Sequence, residues 1–169
     1  ETSSGNINIG QMNGNLAASA SSGNITGDMV NGNVNIHIRS GDIIFGNIDG
    51  DITAESSSGN IGLNRVMGSV VAKASSGAIK CVVAENARDV SLTTSSGRVT
   101  LDMPKDFVFN FSARTSSGRL STPFSEKLFS PVSDRNLVQG IIGNETASND
   151  TPNVNIRTSS GAIKINWTE

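Results

Sequence analysis

The chain has 169 residues, enough for one domain of ordinary size, and 13 Lys and Arg against 15 Asp and Glu. The resulting formal net charge of -2 gives no electrostatic reason to expect nucleic acid or an anionic membrane as partner. Its single cysteine, Cys81, excludes an intrachain disulfide and a multi-cysteine metal site, and no run of apolar residues is long enough to span a bilayer.

The repeat opens at Thr2-Ser3-Ser4-Gly5. Gly5, Gly23, Gly41, Gly59 and Gly77 follow one another at intervals of 18 residues, and Gly14, Gly32, Gly50 and Gly68 form a second series offset by 9. A fixed period of this length marks a repeat architecture. After the first glycine stand Asn6, Asn24, Asp42 and Asn60, then Ile7, Ile25, Ile43, Ile61 and Ile79. After the second stand Asn15, Asn33, Asp51 and Ser69, then Leu16, Val34, Ile52 and Val70. Met12, Val30, Ile48 and Val66 make a further apolar column, and Ser4, Ser22, Ser40, Ser58 and Ser76 precede the first glycine. Between these columns polar and apolar residues alternate, as in Asn35-Ile36-His37-Ile38-Arg39.

Alternation with period 2 is the mark of a half-buried strand. One coil cannot bury its apolar side alone, whereas stacked coils bury it continuously. The expected fold is therefore all-β: a single-domain parallel β-helix, or β-solenoid, with 18-residue coils made of two nine-residue half-coils. The corner glycines are expected to adopt positive φ. The Asn and Asp beside them are expected to form stacked side-chain hydrogen bonds.

Further along, the period loosens. Ser95-Ser96-Gly97 comes 20 residues after the preceding unit and Ser116-Ser117-Gly118 another 21, consistent with corner insertions, the second holding Pro104. Ser159-Ser160-Gly161 follows only 43 residues after Gly118. The excess, residues 121–152, reads as an inserted excursion whose apolar residues (Phe124, Phe129, Leu137, Ile141, Ile142) pack on the solenoid as a partial cap. Asn153 to Trp167 then returns as the last coil. Eight Ser-Gly units at about 4.8 Å per coil give a rod roughly 40 Å long.

The recurring Ser-Ser-Gly-x-Ile units, the stretch Met103-Pro104-Lys105 leading to Ala113-Arg114-Thr115-Ser116-Ser117-Gly118, and the ending Val154-Asn155-Ile156-Arg157-Thr158-Ser159-Ser160-Gly161-Ala162-Ile163-Lys164-Ile165 resemble a bacterial family of β-helical domains. That family carries an adhesin label and is otherwise of unknown function. The resemblance covers essentially the whole chain. It implies a right-handed parallel β-helix in a secreted or envelope protein, and it brings no catalytic or binding residues with it.

Several residues invite a chemical reading. Asp42, Asp49 and Asp51 cluster in sequence, but the paired glycines of calcium-binding nonapeptide rolls are missing. An EF-hand register would put Phe45 at the first ligand position and Ser56 at the twelfth, so turn chemistry is the better reading. Ser19, His37, Glu55 and Lys73 share one outward column and are expected about 5 Å apart. With Ser19 or Ser21, His37 invites comparison with a Ser-His-acid triad, yet no G-x-S-x-G elbow accompanies it. A mixed polar column is also what a solvated strand face looks like. The serines before each glycine recur at every coil, as a scaffold requires, whereas an active site is made once. Cys81 falls in the column of Ile9, Phe45 and Leu63 and reads as a buried, inert hydrophobe. Trp167 reads as end packing ahead of a sugar-stacking platform.

The functional expectation is a non-enzymatic bacterial cell-surface or secreted module, an adhesin or envelope structural protein. No cofactor, metal or catalytic residue is expected. The partner would be a surface protein or glycan, with no nucleic acid and no membrane contact within this segment. The alternatives are a polysaccharide-binding or polysaccharide-active β-helix, and an envelope-stress sensor. The chain opens inside a repeat, so an export or anchoring segment is expected upstream. Any site is expected where the repeat breaks, around residues 121–152.

Overall fold

The structure is a computed structural model that describes residues 1–123, 128–134, 136–142 and 151–168. Alternation decides the local conformation. In Val34–Ser40 the side chains of Val34, Ile36 and Ile38 are buried while Asn35, His37 and Arg39 are exposed, because successive residues of a strand face opposite ways. The described residues form strands and no helix.

Two parallel stacks result. One contains β1 (Thr2–Ser4), β3 (Leu16–Ser22), β5 (Val34–Ser40), β7 (Ile52–Ser58), β9 (Val70–Ser76) and β11 (Val90–Thr94). The other contains β2 (Ile7–Asn13), β4 (Ile25–Asn31), β6 (Ile43–Ile48), β8 (Ile61–Val66), β10 (Ile79–Val83) and β12 (Val99–Pro104). The register is the repeat itself: Ile7 pairs with Ile25, Ile25 with Ile43, Ile43 with Ile61 and Ile61 with Ile79. The chain is thus the expected parallel β-solenoid, its core a continuous stack of Ile, Val and Leu between two sheets. Each fully buried aliphatic side chain contributes about 1.5–3 kcal/mol. Packing is shaped locally as well as by column: Gly27 leaves the space that the Phe45 ring fills from the next coil, and a Cβ there would overlap the ring.

The corners depart from expectation in two ways. Positive φ occurs at some of the glycines, for example Gly23 at 111° and Gly41 at 133°, but Gly50, Gly68, Gly77, Gly97, Gly118 and Gly161 lie outside that region. What the column shares is close approach. From Gly23 to Gly161, a Cβ on each first-series glycine would overlap the carbonyl oxygen of the glycine stacked beneath it. The second difference is the direction of the amide ladder. Asn6 Oδ1 accepts from the main-chain N–H of Asn24 at 2.8 Å, Asn24 Oδ1 from Asp42 at 2.9 Å, Asp42 Oδ1 from Asn60 at 2.7 Å, and Asn60 Oδ1 from Ala78 at 2.9 Å. Asn15, Asn33 and Asp51 do the same at the opposite corner. Side chains here cap main-chain donors of the next coil, instead of pairing only with each other. Each turn leaves an N–H pointing along the axis, and such a donor must be satisfied.

The C-terminal coil is not the last in space. β13 (Phe109–Thr115) and β14 (Leu120–Ser121) sit one level higher than an uninterrupted solenoid would place them. β17 (Asn153–Thr158) lies between β11 and β13, and β18 (Ile163–Thr168) between β12 and β14. The glycine stack accordingly runs Gly77, Gly97, Gly161, Gly118. Before this insertion, β15 (Leu128–Asp134) and β16 (Leu137–Ile142) form an antiparallel hairpin whose β16 pairs with β13 and extends the sheet. Residues 124–127, 135 and 143–150 of the expected excursion, Phe124 among them, lie outside the described residues.

Gly77 separates the two explanations of the glycine column, since its φ is ordinary while its Cα rests on the Gly59 carbonyl. Gly77→Ala is expected to destabilise by about 1–3 kcal/mol through this overlap. Chemical denaturation measures it, and wild-type stability would show that the corner can spread at no cost.

Candidate functional site

The outward faces are built from the residues that alternate with the core. On the first stack, β3, β5, β7 and β9 bring Ser19, His37, Glu55 and Lys73 into direct register. The row continues through Thr93, Arg157 and Arg114. Lys73 Nζ donates to Glu55 Oε1 at 2.9 Å, and His37 Nδ1 lies 3.7 Å from Glu55 Oε2. The Lys73 hydrogen bond holds the Glu55 carboxyl below its ordinary range, against a small opposing effect of burial, with the charges of Lys73 and His37 assisting. A depressed carboxylate contributes stability above its unfolded pKa and loses it as pH falls through the folded value. Glu55 and its partners are open to solvent, so the contribution is small.

This row contains the three residue types of a triad, in order. Its geometry differs from a catalytic one. Glu55 is committed to Lys73 at the shorter distance, and His37 is largely exposed at 64 %. Ser19 and Ser21 line a shallow hollow of about 310 Å³ together with Glu1, Thr2, Ser3, Ala20, His37 and Arg39.

Two further outward columns are serines. Ser22, Ser40, Ser58 and Ser76 pair in register, and Ser57, Ser75, Ser95 and Ser159 stand beside that column; all are exposed. Inward of them, hydroxyls serve the corner: Thr94 Oγ1 donates to the Gly77 carbonyl at 3.1 Å and Thr115 Oγ1 to that of Gly161 at 3.0 Å. On the second stack Ile44 is the large apolar side chain left exposed, at 46 %.

Asp42 and Asp51 do not converge. They stand at the two ends of β6, each accepting a main-chain N–H from the next coil. Asp42 and Asp51 therefore do turn work. Cys81 pairs with Leu63 and Leu101 and is fully buried. Burial first, and the charge of Asp102 second, push its thiol up to about 12. Trp167 lies opposite Met103, partly buried against the core.

A hollow of about 740 Å³ lies beside the corner insertions where the 18-residue period loosens. Glu85, Pro104, Lys105, Asp106, Phe107, Val108 and Thr168 line it. Phe107, Phe109 and Phe111 form a tilted and edge-on series behind it, with centroids 5.5 and 6.0 Å apart. The sequence carried a signal for this place, the corner insertions and Pro104, but not for the hollow between them.

A family model described as Toastrack DUF4097 matches residues 1–166. No curated protein and no solved structure matches the chain.

Cys81 offers a direct check on this packing. In the native protein it is expected to resist a thiol reagent at pH 8 and to react within minutes once the chain is unfolded, because the thiolate is the nucleophile and burial suppresses it. Rapid native labelling would place Cys81 on the surface.

Proposed function

We propose, from the premise that this chain belongs to the Toastrack DUF4097 family, that it is a non-enzymatic module of the bacterial cell surface or envelope. In this reading it is a stiff rod that holds an interaction surface or spaces other domains. The observation that carries it is the sameness of the outward columns. Serine and amide side chains recur at coil after coil, and Asp42, Asp51 and Glu55 are committed to main-chain donors or to Lys73. A rod built this way offers many equivalent weak contacts along its length, which suits adhesion or spacing. Repeated modest contacts gain by multivalency without any single deep site.

The serine columns also favour a second reading, polysaccharide binding. They present hydroxyls at the inter-coil spacing of about 4.8 Å, close to the rise of one sugar in an extended β-linked chain. Aromatic platforms are few, at 4 % of the sequence.

One experiment separates these readings. The purified protein is applied to an array of glycans and extracellular-matrix proteins, and its position in the cell is mapped by protease treatment of intact bacteria. The adhesin reading expects surface cleavage and retention on protein spots. Retention confined to extended glycans selects the second reading, and a cytoplasmic position overturns both.

A further inference from the structure

We infer, resting on the reading of the chain as a non-enzymatic interaction rod, that one edge of that rod is a docking strip for an extended acidic polysaccharide laid along the solenoid axis.

The net charge of -2 conceals a separation of charge. At the levels of Gly77, Gly97, Gly161 and Gly118, stacked in that order, three outward columns meet at the first-series corner. On the first stack Lys73, Thr93, Arg157 and Arg114 stand in register. Directly after the corner glycines come Arg98 and Arg119, one on each side of Ala162. On the second stack Lys80, Thr100, Lys164 and Ser121 stand in register. These columns hold seven of the 13 Lys and Arg, all seven exposed, and no Asp or Glu at those levels. The opposite corner, where β10 leads to β11 and β12 to β13, is close to balance, with Arg88 and Lys105 against Glu85, Asp89 and Asp106.

The intercalated C-terminal coil produces this concentration. It sets Arg157 between Thr93 and Arg114, and Lys164 between Thr100 and Ser121. Arg157 and Arg114 thus face each other directly, an unfavourable pairing of like charge. Among the described residues only Lys73 of the seven has an acidic partner, Glu55. Cations gathered without a counter-charge make a positive field that a bound anion relieves.

The rest of the strip selects the anion. Between the charged columns run the exposed pairs Ser75-Ser76, Ser95-Ser96, Ser159-Ser160 and Ser116-Ser117, which are donors and acceptors for sugar hydroxyls. Successive levels lie about 4.8 Å apart, so cations and hydroxyls recur along the axis on the scale of one sugar unit. The columns present no aromatic side chain, the platform on which single-stranded nucleic acid stacks. At these levels they present no exposed large apolar side chain either, the element that seats a protein in a bilayer interface. A linear polymer follows a convex edge, whereas a flat membrane cannot meet cations on both of its faces.

The test measures binding of the full chain to polygalacturonate, a linear carboxylated polymer, with hydroxyethylcellulose, duplex DNA and phosphatidylglycerol vesicles alongside. The wild type is expected to bind polygalacturonate most tightly and to lose affinity as salt rises, because exposed charges are screened. Arg98→Ser/Arg119→Ser/Arg157→Ser is expected to weaken binding at least about tenfold, through the loss of three exposed charge contacts. Arg65→Ser/Arg88→Ser/Lys105→Ser removes the same charge beside the opposite corner and is expected to change affinity by less than about twofold. Equal losses in the two triple variants, no binding by the wild type, or tighter binding of DNA or vesicles overturns the proposal. Equal affinity for hydroxyethylcellulose also overturns it, while leaving the neutral-glycan reading of the serine columns standing. If circular dichroism shows the first variant to be unfolded, Arg98→Ser/Arg119→Ser gives the same reading with a loss of at least about threefold. Position in the cell does not enter this measurement, so its failure leaves the rod reading to the protease mapping.

Discussion

The fold depends on how closely two glycines can stack. From Gly23 to Gly161, each first-series glycine lies so close to the carbonyl of the glycine beneath that a Cβ would overlap it. That contact fixes the vertical spacing at one edge of the rod. The Asn and Asp next to it fix the register, because each side-chain oxygen caps a main-chain N–H one coil away. Sheet hydrogen bonds alone would tolerate a slip along the strand. A slip of one residue would break the amide caps and turn the isoleucine column outward.

The same constraint explains why the outward columns are so plain. Corner chemistry consumes Asp42 and Asp51, and core packing consumes Cys81 and most of the aliphatics. What remains outside is largely serine, threonine, amide and exposed charge. Such a surface suits a repeated, shallow interaction, and it turns the search for singular chemistry toward the places where the period fails. These are the hollow beside Pro104 and Phe107 and the level at which the C-terminal coil enters.

Much of this was legible in the sequence. The 18-residue glycine spacing gave the solenoid, and the isoleucine columns gave its interior; Ile25, Ile43, Ile61 and Ile79 are buried in register. Column position also placed Ser19, His37, Glu55 and Lys73 in one row. The positive φ expected of the corner glycines holds at Gly5, Gly14, Gly23, Gly32, Gly41 and Gly59 but is not the whole reason for glycine. Positive φ is a property of one residue, while the Gly77 constraint comes from a carbonyl 18 residues away. Coil order was misread. Gly161 carries the Ser-Gly core common to the other units, and its Ser-Ser-Gly-Ala-Ile is that of Gly77; a motif that fits several levels cannot say which level it occupies. The charged fixings that do decide it, Asp89 to Asn153 and Asp102 to Asn166, are separated by 64 residues. They look like ordinary corner and surface residues until the chain is folded.

The most direct measurement is the pattern of nuclear Overhauser contacts among three glycines in the isotope-labelled protein. Gly161 is predicted to show close proton contacts to both Gly97 and Gly118, with none between Gly97 and Gly118. A direct contact between Gly97 and Gly118, with Gly161 stacked beyond them, would contradict the intercalated coil and the glycine stack that defines it.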